Sequence, residues 1–148
     1  MFATYATEAG HTLIDRELYL PRCWADEPDR RQAAGVPADV EFATKPELAT
    51  AMITRAVVAG VSAGWVAADD VYGGNTILRR ELEIQQLGYV LAVSCDHQVH
   101  TGAGTTRSDT TVVTLGQRAW QRVSADAGAH GQRYYDWALV ELDEPDAA

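Results

Sequence analysis

Residues 64–93 read GWVAADDVYGGNTILRRELEIQQLGYVLAV, and this stretch decides the fold of the chain. It begins with a short apolar run, Trp65–Ala68, which lies between a glycine and two aspartates. A continuous apolar run of this length is typical of a strand that is buried on both faces. The stretch ends with a second such run, Tyr89–Val93, so two buried strands are predicted at its two ends.

A helix is predicted between these two strands. Asn75 suits its first turn, because an asparagine side chain can accept a hydrogen bond from an unpaired N–H group there. An apolar stripe follows at helical spacing, formed by Ile77, Leu78, Leu82 and Leu87. Gly88 is predicted to end the helix. A strand, a helix and a strand in this order form a βαβ unit, so the strands should pair in parallel with a right-handed crossover.

Two aspartates directly follow the first of these strands. Functional groups in open α/β sheets gather at the carboxyl ends of strands, and Asp69 falls at such an end. A carboxylate there can hold a divalent cation, or it can cap the loop that leads to the helix. Adjacent side chains on a strand point to opposite faces, so at most one of Asp69 and Asp70 should face a site in the sheet. Both interpretations of Asp69 stay open at this point.

The composition limits the class of protein. A chain of 148 residues with 47% hydrophobic and 22% charged residues is typical of one globular domain. Its 21 acidic and 12 basic residues give a net charge of −9. This sign does not favour binding of the chain by itself to nucleic acid phosphates, which are negatively charged. No apolar run is long enough to predict a membrane span. Cys23 and Cys95 are expected to be reduced thiols, which predicts a cytoplasmic protein.

The remainder of residues 1–93 predicts further elements around this βαβ unit. An antiparallel hairpin is expected from residues 2–6 and 11–20, followed by a short helix. A longer helix should begin at Thr44, because Thr44 and Glu47 have the spacing of a capping box. Together these elements predict a mixed sheet covered by helices.

Residues 94–148 differ in character and are predicted to form a β-rich segment with an acidic tail. Residues 101–109 should be a flexible loop, and short strands are expected at Thr111–Leu115 and Trp120–Ser124. Residues 133–142, RYYDWALVEL, are the strongest β signal in the chain.

Cys95, His97 and His100 place three possible metal ligands within six residues. A structural zinc site needs four such ligands in a closed arrangement, and a catalytic site usually has three. No second pair of cysteine or histidine lies at suitable spacing. The remaining candidates would have to approach through folding: His11, Cys23 and His130. We therefore expect polar residues of a surface loop that bind no structural metal.

Five blocks of sequence, in order, resemble the central part of DDE-type transposases of bacterial insertion sequences. They are HTLIDRELYLPRCWADEPDRRQAAGVP (residues 11–37), FATKPELA (42–49), WVAADDVYGG (65–74), YVLAVS (89–94) and RYYDWALVEL (133–142). This resemblance covers nearly the whole chain. It implies a partial RNase H-like mixed sheet with helices at residues 1–93, followed by a β-rich insertion segment at residues 94–148.

The resemblance also implies a chemistry. Proteins of this family are DDE superfamily endonucleases, in which three carboxylates hold two divalent metal ions, usually Mg²⁺, that cut and join DNA during transposition. The family motif of an Asp, two further residues and Tyr-Gly matches Asp69, Tyr72 and Gly73. Asp69 is therefore the implied second catalytic acid and metal ligand. Asp70 takes the adjacent, secondary position.

The other two acids of the family motif have no counterpart in this sequence. The first Asp of the family lies on a strand upstream of residues 2–5, and its Glu lies on a helix after the insertion. One carboxylate cannot fix two cations. We therefore expect a transposase fragment from a truncated or frameshifted element, inactive alone, with weak Mg²⁺ binding and weak or no DNA binding. A missing strand should also leave an unpaired sheet edge exposed.

Two other functions stay open. One is a non-enzymatic acidic protein that binds or regulates a full-length transposase through its open sheet edge. The other is a small hydrolase of different mechanism that uses Asp69 with His97 or His130. The negative charge favours the first, and the sequence pairs no nucleophile with a base in support of the second.

Overall fold

The computed structural model describes residues 1–102, 104–128 and 131–143. The chain divides into two units, Met1–Val93 and Ser94–Ala148, each of which is described by itself. The described residues form six α-helices, one 3₁₀ turn and eight strands, and the strands make four two-stranded sheets. The predicted mixed α/β class is therefore confirmed.

The first unit begins with an antiparallel hairpin, as predicted. It consists of β1 (Phe2–Thr7) and β2 (Gly10–Arg16). Gly10 has a φ of 144°, a conformation that glycine adopts more readily than other residues, and it closes the tight turn. β2 ends before the predicted Leu20, which is instead buried in the core with 6% of its surface exposed.

Three helices follow the hairpin: α1 (Arg22–Ala25), α2 (Pro28–Ala33) and α3 (Lys45–Val58). The predicted capping box starts α3. The Glu47 N–H group donates to the Thr44 hydroxyl oxygen at 3.4 Å, and the Thr44 N–H group donates to the Glu47 carboxylate at 2.7 Å. Two of the N–H groups that the first helical turn leaves unpaired thus gain partners.

The two strands of the βαβ unit pair in parallel, as predicted. β3 (Trp65–Ala68) pairs in parallel with β4 (Gly88–Leu91), from Trp65 opposite Gly88 to Ala68 opposite Leu91. Two helices cross between them, a single turn α4 (Asp70–Gly73) and α5 (Thr76–Ile84).

The prediction that β3 and β4 are buried on both faces is wrong. Trp65 is 71% exposed and Val90 is 66% exposed, while the side chains on the other face, those of Val66, Ala68, Tyr89 and Leu91, are partly buried. This alternation shows that only one face of the two-stranded sheet is covered. Apolar runs therefore overstated the burial, because a run shows that a strand can be buried without showing that a second layer covers it.

The end of α5 also differs from the prediction. The helix ends at Ile84, and Gln86 has the left-handed backbone conformation, with a φ of 57°, that Gly88 was expected to supply. Gly88 is the first residue of β4. Leu78 and Leu82 are buried as predicted, whereas Ile77 is 68% exposed.

The first unit has two separate sheets in place of the single mixed sheet that was predicted. Within residues 1–93, all of which the structure describes, β1 pairs only with β2 and β3 pairs only with β4. Paired strands lie about 4.7–4.9 Å apart. Here a cavity lined by both β1 and β3 takes the place of backbone pairing between them.

The second unit contains two antiparallel hairpins and a helix. Its elements are β5 (Gln98–Thr101), β6 (Gly104–Arg107), α6 (Ser108–Thr114), a 3₁₀ turn at Gln117–Ala119, β7 (Gln121–Gly128) and β8 (Gly131–Trp137). Of the predicted acidic tail, DEPDAA (residues 143–148), all but Asp143 lie outside the described residues.

Three predictions for this unit are wrong in detail. The expected loop at residues 101–109 contains β6, and the expected strand at Thr111–Leu115 is helical. The Thr111 hydroxyl donates to the Arg107 carbonyl at 3.1 Å, so local hydrogen bonds offset the strand preference of β-branched residues. The predicted strand over residues 133–142 ends at Trp137.

Candidate functional site

Asp69 lies at the carboxyl end of β3, where the sequence placed it. Its backbone is extended, and its Oδ1 atom accepts a hydrogen bond from the Val71 N–H group at 3.0 Å. Asp69 is thus the N-terminal cap of α4. Capping therefore uses one of the two carboxylate oxygens of Asp69. The side chain is exposed to solvent.

Asp70 is the first residue of α4 and is also exposed. Because the helix begins here, Asp69 and Asp70 do not alternate across a strand as adjacent strand residues would. An acidic residue in the first turn of a helix is favoured by the partial positive charge of the unpaired N–H groups. This local role accounts for Asp70 without a ligand.

Tyr72 links α4 to the start of β1. Its hydroxyl donates to the Met1 sulfur at 3.0 Å. Burial, and to a smaller extent the negative charge of Asp69, raises the pKa of the Tyr72 phenol above its ordinary value of 10.0. The phenol therefore stays neutral at physiological pH, and it lies within electrostatic reach of the Asp69 carboxylate.

Gly73 sets the distance between α4 and the carboxyl end of β4. A Cβ atom at this position would lie 1.8 Å from the carbonyl oxygen of Ala92. The Ala92 N–H group in turn donates to the Ala68 carbonyl at 3.0 Å, which continues the parallel ladder beyond β4. Only glycine fits here, so Gly73 holds the turn that carries Asp69 close to the sheet.

Asn75 fixes the next helix in the same region. Its Oδ1 atom accepts from the Leu78 N–H group at 2.8 Å, as the sequence predicted. The Arg79 guanidinium donates to the Gly73 carbonyl at 3.0 Å, which ties α5 back to α4.

Two other acids of the first unit, Asp15 and Glu17, pair with an arginine. Arg55 on α3 bonds the Asp15 carboxylate at 2.8 Å and the Glu17 carboxylate at 2.6 Å. The N–H group of Arg16, together with Arg55, lowers the pKa of Asp15 below its ordinary 3.8. In the part of the chain that the structure describes, no three His, Cys, Asp or Glu side chains form a group that could hold a metal ion.

Sequence reasoning missed both the Arg55 cluster and the contact of Gly73 with Ala92. The ion pairs of Arg55 join residues that are 38 and 40 positions apart in the sequence, so no local pattern predicts them. The double glycine after Tyr72 did carry a signal, since glycine often marks a close approach of backbones. The partner of that approach could not be read from the sequence.

The three candidate zinc ligands of the second unit lie around β5. Cys95 is an exposed free cysteine, and the Nδ1 atom of His100 is 2.9 Å from the Thr105 hydroxyl. The Ser108 hydroxyl donates to the Cys95 carbonyl at 2.9 Å. His130 lies outside the described residues. That Cys95, His97 and His100 bind no structural metal stays a prediction.

One carboxylate of the second unit, that of Asp109, has a strongly lowered pKa. The Arg107 guanidinium makes two hydrogen bonds to Asp109, at 3.0 and 2.7 Å, and these lower the pKa of Asp109 from 3.8 to about 2. Because the pKa of Asp109 is lowered in the folded chain, its interaction with Arg107 stabilises the fold at pH values above the ordinary pKa of 3.8. This stabilisation is lost as the pH falls toward 2.

We expect Arg107→Gln to return the pKa of Asp109 to its ordinary range, because the charged donor is lost. NMR titration of the side-chain carboxyl carbon measures this directly. Arg118→Gln removes one positive charge from the same unit and should leave the Asp109 pKa at about 2. A similar rise in both variants would show that overall charge, not the paired hydrogen bonds, sets the value.

A comparison with known protein families identifies the class. A family model described as DDE superfamily endonuclease matches residues 1–138 of the 148. The chain therefore belongs to the DDE superfamily endonucleases, a family of DNA-acting nucleases that generally use a divalent metal. No curated protein and no solved structure matches the chain. Among the described residues, no helix is both long and apolar enough to cross a membrane.

Proposed function

We propose that this chain is part of a DNA transposase and that Asp69 is one of the carboxylates of its metal-dependent nuclease centre. The observation that carries the proposal is the position of Asp69. It is an exposed acid at the carboxyl end of a parallel strand, in a chain whose family cuts DNA. Ligand-binding groups of α/β sheets gather at this end of the strands.

The acids of the described residues do not fit a centre for two divalent ions by themselves. Mg²⁺ needs near-octahedral oxygen ligands and gives up its water reluctantly, so one carboxylate holds it weakly. Asp69 already uses one oxygen to cap α4, and Asp15 and Glu17 are bound to Arg55. We therefore assign Asp69 as one contributor, with Asp70 as a secondary candidate, and expect the remaining ligands from polypeptide outside these 148 residues.

The parallel βαβ unit supports a partial RNase H-like core for residues 1–93. In this interpretation, β3 and β4 belong to one larger sheet, and residues 94–148 are the β-rich insertion segment. The capped α5 and the close approach at Gly73 keep Asp69 at the edge of that sheet. The family assignment and the order of the helices and strands in residues 1–93 support this architecture.

The charge of the chain supports weak binding to DNA on its own. A net charge of −9 repels phosphates most strongly at low ionic strength, where screening is least. DNA contacts of the whole transposase would then come mainly from other parts of the protein.

We expect the purified chain to show no Mg²⁺- or Mn²⁺-dependent cleavage of DNA. The physical reason is the number of ligands, since a single carboxylate cannot position two cations. A nicking assay on supercoiled plasmid, with Asp69→Ala as control, measures this. Nicking that needs metal and disappears in Asp69→Ala would show that another acid of the chain completes the site. The expectation that the chain is inactive alone would then be wrong.

The metal role of Asp69 itself is tested by Mn²⁺ titration of the ¹⁵N-labelled chain. We expect paramagnetic broadening of the amides around Asp69 at millimolar Mn²⁺, and its loss in Asp69→Asn. Asparagine caps helices about as well as aspartate, so this variant should keep the fold and lose only the charge. Asp70→Asn is the matched control and should keep most of the broadening. Equal losses in the two variants would refute the assignment to Asp69.

A further inference from the structure

The turn that carries Asp69 is too short to hold its own position. α4 is a single turn, and a helix of this length is unstable in isolation, because forming its nucleus costs more than its few hydrogen bonds return. The cap between Asp69 and the Val71 N–H group lies within the turn, so it shapes the turn without fixing it to the rest of the chain. The place of the Asp69 carboxylate therefore depends on contacts that reach α4 from other elements.

Close packing limits the movement of α4 in one direction. Gly73 is buried, and it lies so near the backbone of Ala92 that a Cβ atom would meet the carbonyl oxygen at 1.8 Å. This contact stops α4 from moving toward β4. A glycine offers few atoms for attraction, so the same contact does little to stop α4 from moving away. An attractive contact is needed to hold the turn beside the sheet.

Arg79 on α5 supplies such a contact. Its guanidinium donates to the Gly73 carbonyl at 3.0 Å, and this hydrogen bond is partly buried. Within residues 1–93, all of which the structure describes, the Gly73 carbonyl accepts from no backbone N–H group. A carbonyl at the C-terminal end of a helix carries partial negative charge, which a cation stabilises. A hydrogen bond from a charged donor is also stronger than one from a neutral donor.

One other side-chain hydrogen bond reaches α4 from another element of residues 1–93, and it is weaker. The Tyr72 hydroxyl donates to the Met1 sulfur at 3.0 Å, and a thioether sulfur is a weak acceptor. Arg79, in contrast, lies on a helix that is itself well anchored. Asn75 caps α5, and Leu82, three residues after Arg79, is fully buried. Arg79 therefore ties α4 to the most firmly packed helix nearby.

We propose that Arg79 is a positioning residue for Asp69, a role that rests on the proposed metal binding of Asp69. By holding α4 to α5, Arg79 fixes where the Asp69 carboxylate can place a divalent cation. Catalytic groups must be held within about 0.5 Å of their productive geometry. A misplacement of about 1 Å can cost on the order of a hundredfold in rate. Arg79 acts through Asp69 and not by contact with the metal or with DNA.

Mn²⁺ broadening of amide signals separates this role from a general contribution to stability. The Val71 amide moves with the turn, whereas the Ala92 amide bonds the Ala68 carbonyl and reports from the sheet. In the unmodified chain, Mn²⁺ at Asp69 should broaden both signals. In Arg79→Gln a cation at Asp69 moves with the loosened turn, and broadening falls steeply with distance. We expect the Val71 amide to keep its broadening and the Ala92 amide to lose most of it.

Hydrogen exchange gives a second measurement, which needs no metal. The Tyr72 amide bonds the Asp69 carbonyl, and it should exchange about tenfold faster in Arg79→Gln, the effect of losing one hydrogen bond. The Leu82 amide, in the core of α5, should keep its rate. Arg79→Lys keeps a charged donor and should restore most of the protection. Arg80→Gln removes a neighbouring exposed charge and is the matched control, which should leave both rates unchanged.

The possible failures are distinguishable. Mn²⁺ broadening that is the same in Arg79→Gln, or unchanged exchange at Tyr72, would show that other contacts hold α4, and would overturn this proposal alone. Equal acceleration at Tyr72 and Leu82 would show that Arg79 stabilises the whole unit and would also overturn it. If the unmodified chain shows no broadening around Asp69, the proposed metal role of Asp69 is wrong, and the positioning role of Arg79 falls with it.

Discussion

Gly73→Ala should leave the protein without a stable native fold. The added methyl group would lie 1.8 Å from the carbonyl oxygen and 2.7 Å from the carbonyl carbon of Ala92. Both atoms are backbone, and the ladder hydrogen bond from Ala92 to Ala68 holds them in place. α4 must therefore move away from β4, and the parallel pair loses the helix that covers its end.

We expect this substitution to cost about 4 kcal/mol or more, the range reached when a buried substitution has no room to relax. Small domains have a free energy of unfolding of only about 5–15 kcal/mol. A loss of this size would leave much of the variant unfolded before urea is added, so little of a cooperative unfolding transition would be seen. Urea unfolding followed by circular dichroism measures it. A variant with an unchanged midpoint would show that α4 does not lie against Ala92.

Gly88→Ala is the matched control. Its Cβ atom would lie 2.8 Å from the Trp65 ring, also too close, but the obstacle is a side chain. Trp65 is 71% exposed and can swing aside into solvent. We expect a cost of about 1 kcal/mol, typical of an ordinary substitution.

Leu82→Ala should produce the second large loss of stability. Leu82 has no exposed surface, and it is one of only four buried hydrophobic residues in the described part of the chain. Truncating a buried leucine to alanine costs about 2–5 kcal/mol, because the transfer energy is lost and a cavity remains. A core this small has few other contacts with which to compensate.

Ile77→Ala provides the comparison on the same helix. Ile77 is 68% exposed, so its truncation removes little buried surface, and alanine is the better helix former. We expect a change within about 0.5 kcal/mol in the free energy of unfolding. Equal losses for the two variants in urea titrations would mean that α5 presents a different face to the core.

Local patterns explain what the sequence could predict. The capping box at Thr44, the cap at Asn75 and the parallel pairing of β3 and β4 each depend on residues close together in the chain. The position of Asp69 followed from the end of one apolar run. These features are fixed by backbone geometry and hydrogen bonds that a few neighbouring residues complete.

Contacts between distant residues explain what the sequence could not predict. The separation of β1 from β3 and the exposure of Trp65 depend on which surfaces other elements cover. The helix at residues 108–114 depends on threonine hydroxyls that bond the backbone locally in place of a strand partner. The ion pairs of Asp15 and Glu17 with Arg55 likewise join distant residues without any sequence signal.

The parallel pairing of β3 with β4 has a consequence for the order of folding. The three hairpins close over connections of two residues each, whereas β3 and β4 are separated by residues 69–87. Closing a longer loop costs more chain entropy before any pairing rewards it, so the hairpins should form early and the parallel pair late. Asp69 acquires its final position only with that late step. When the whole chain refolds, it should therefore form its hairpins before it positions the acid of its candidate nuclease centre.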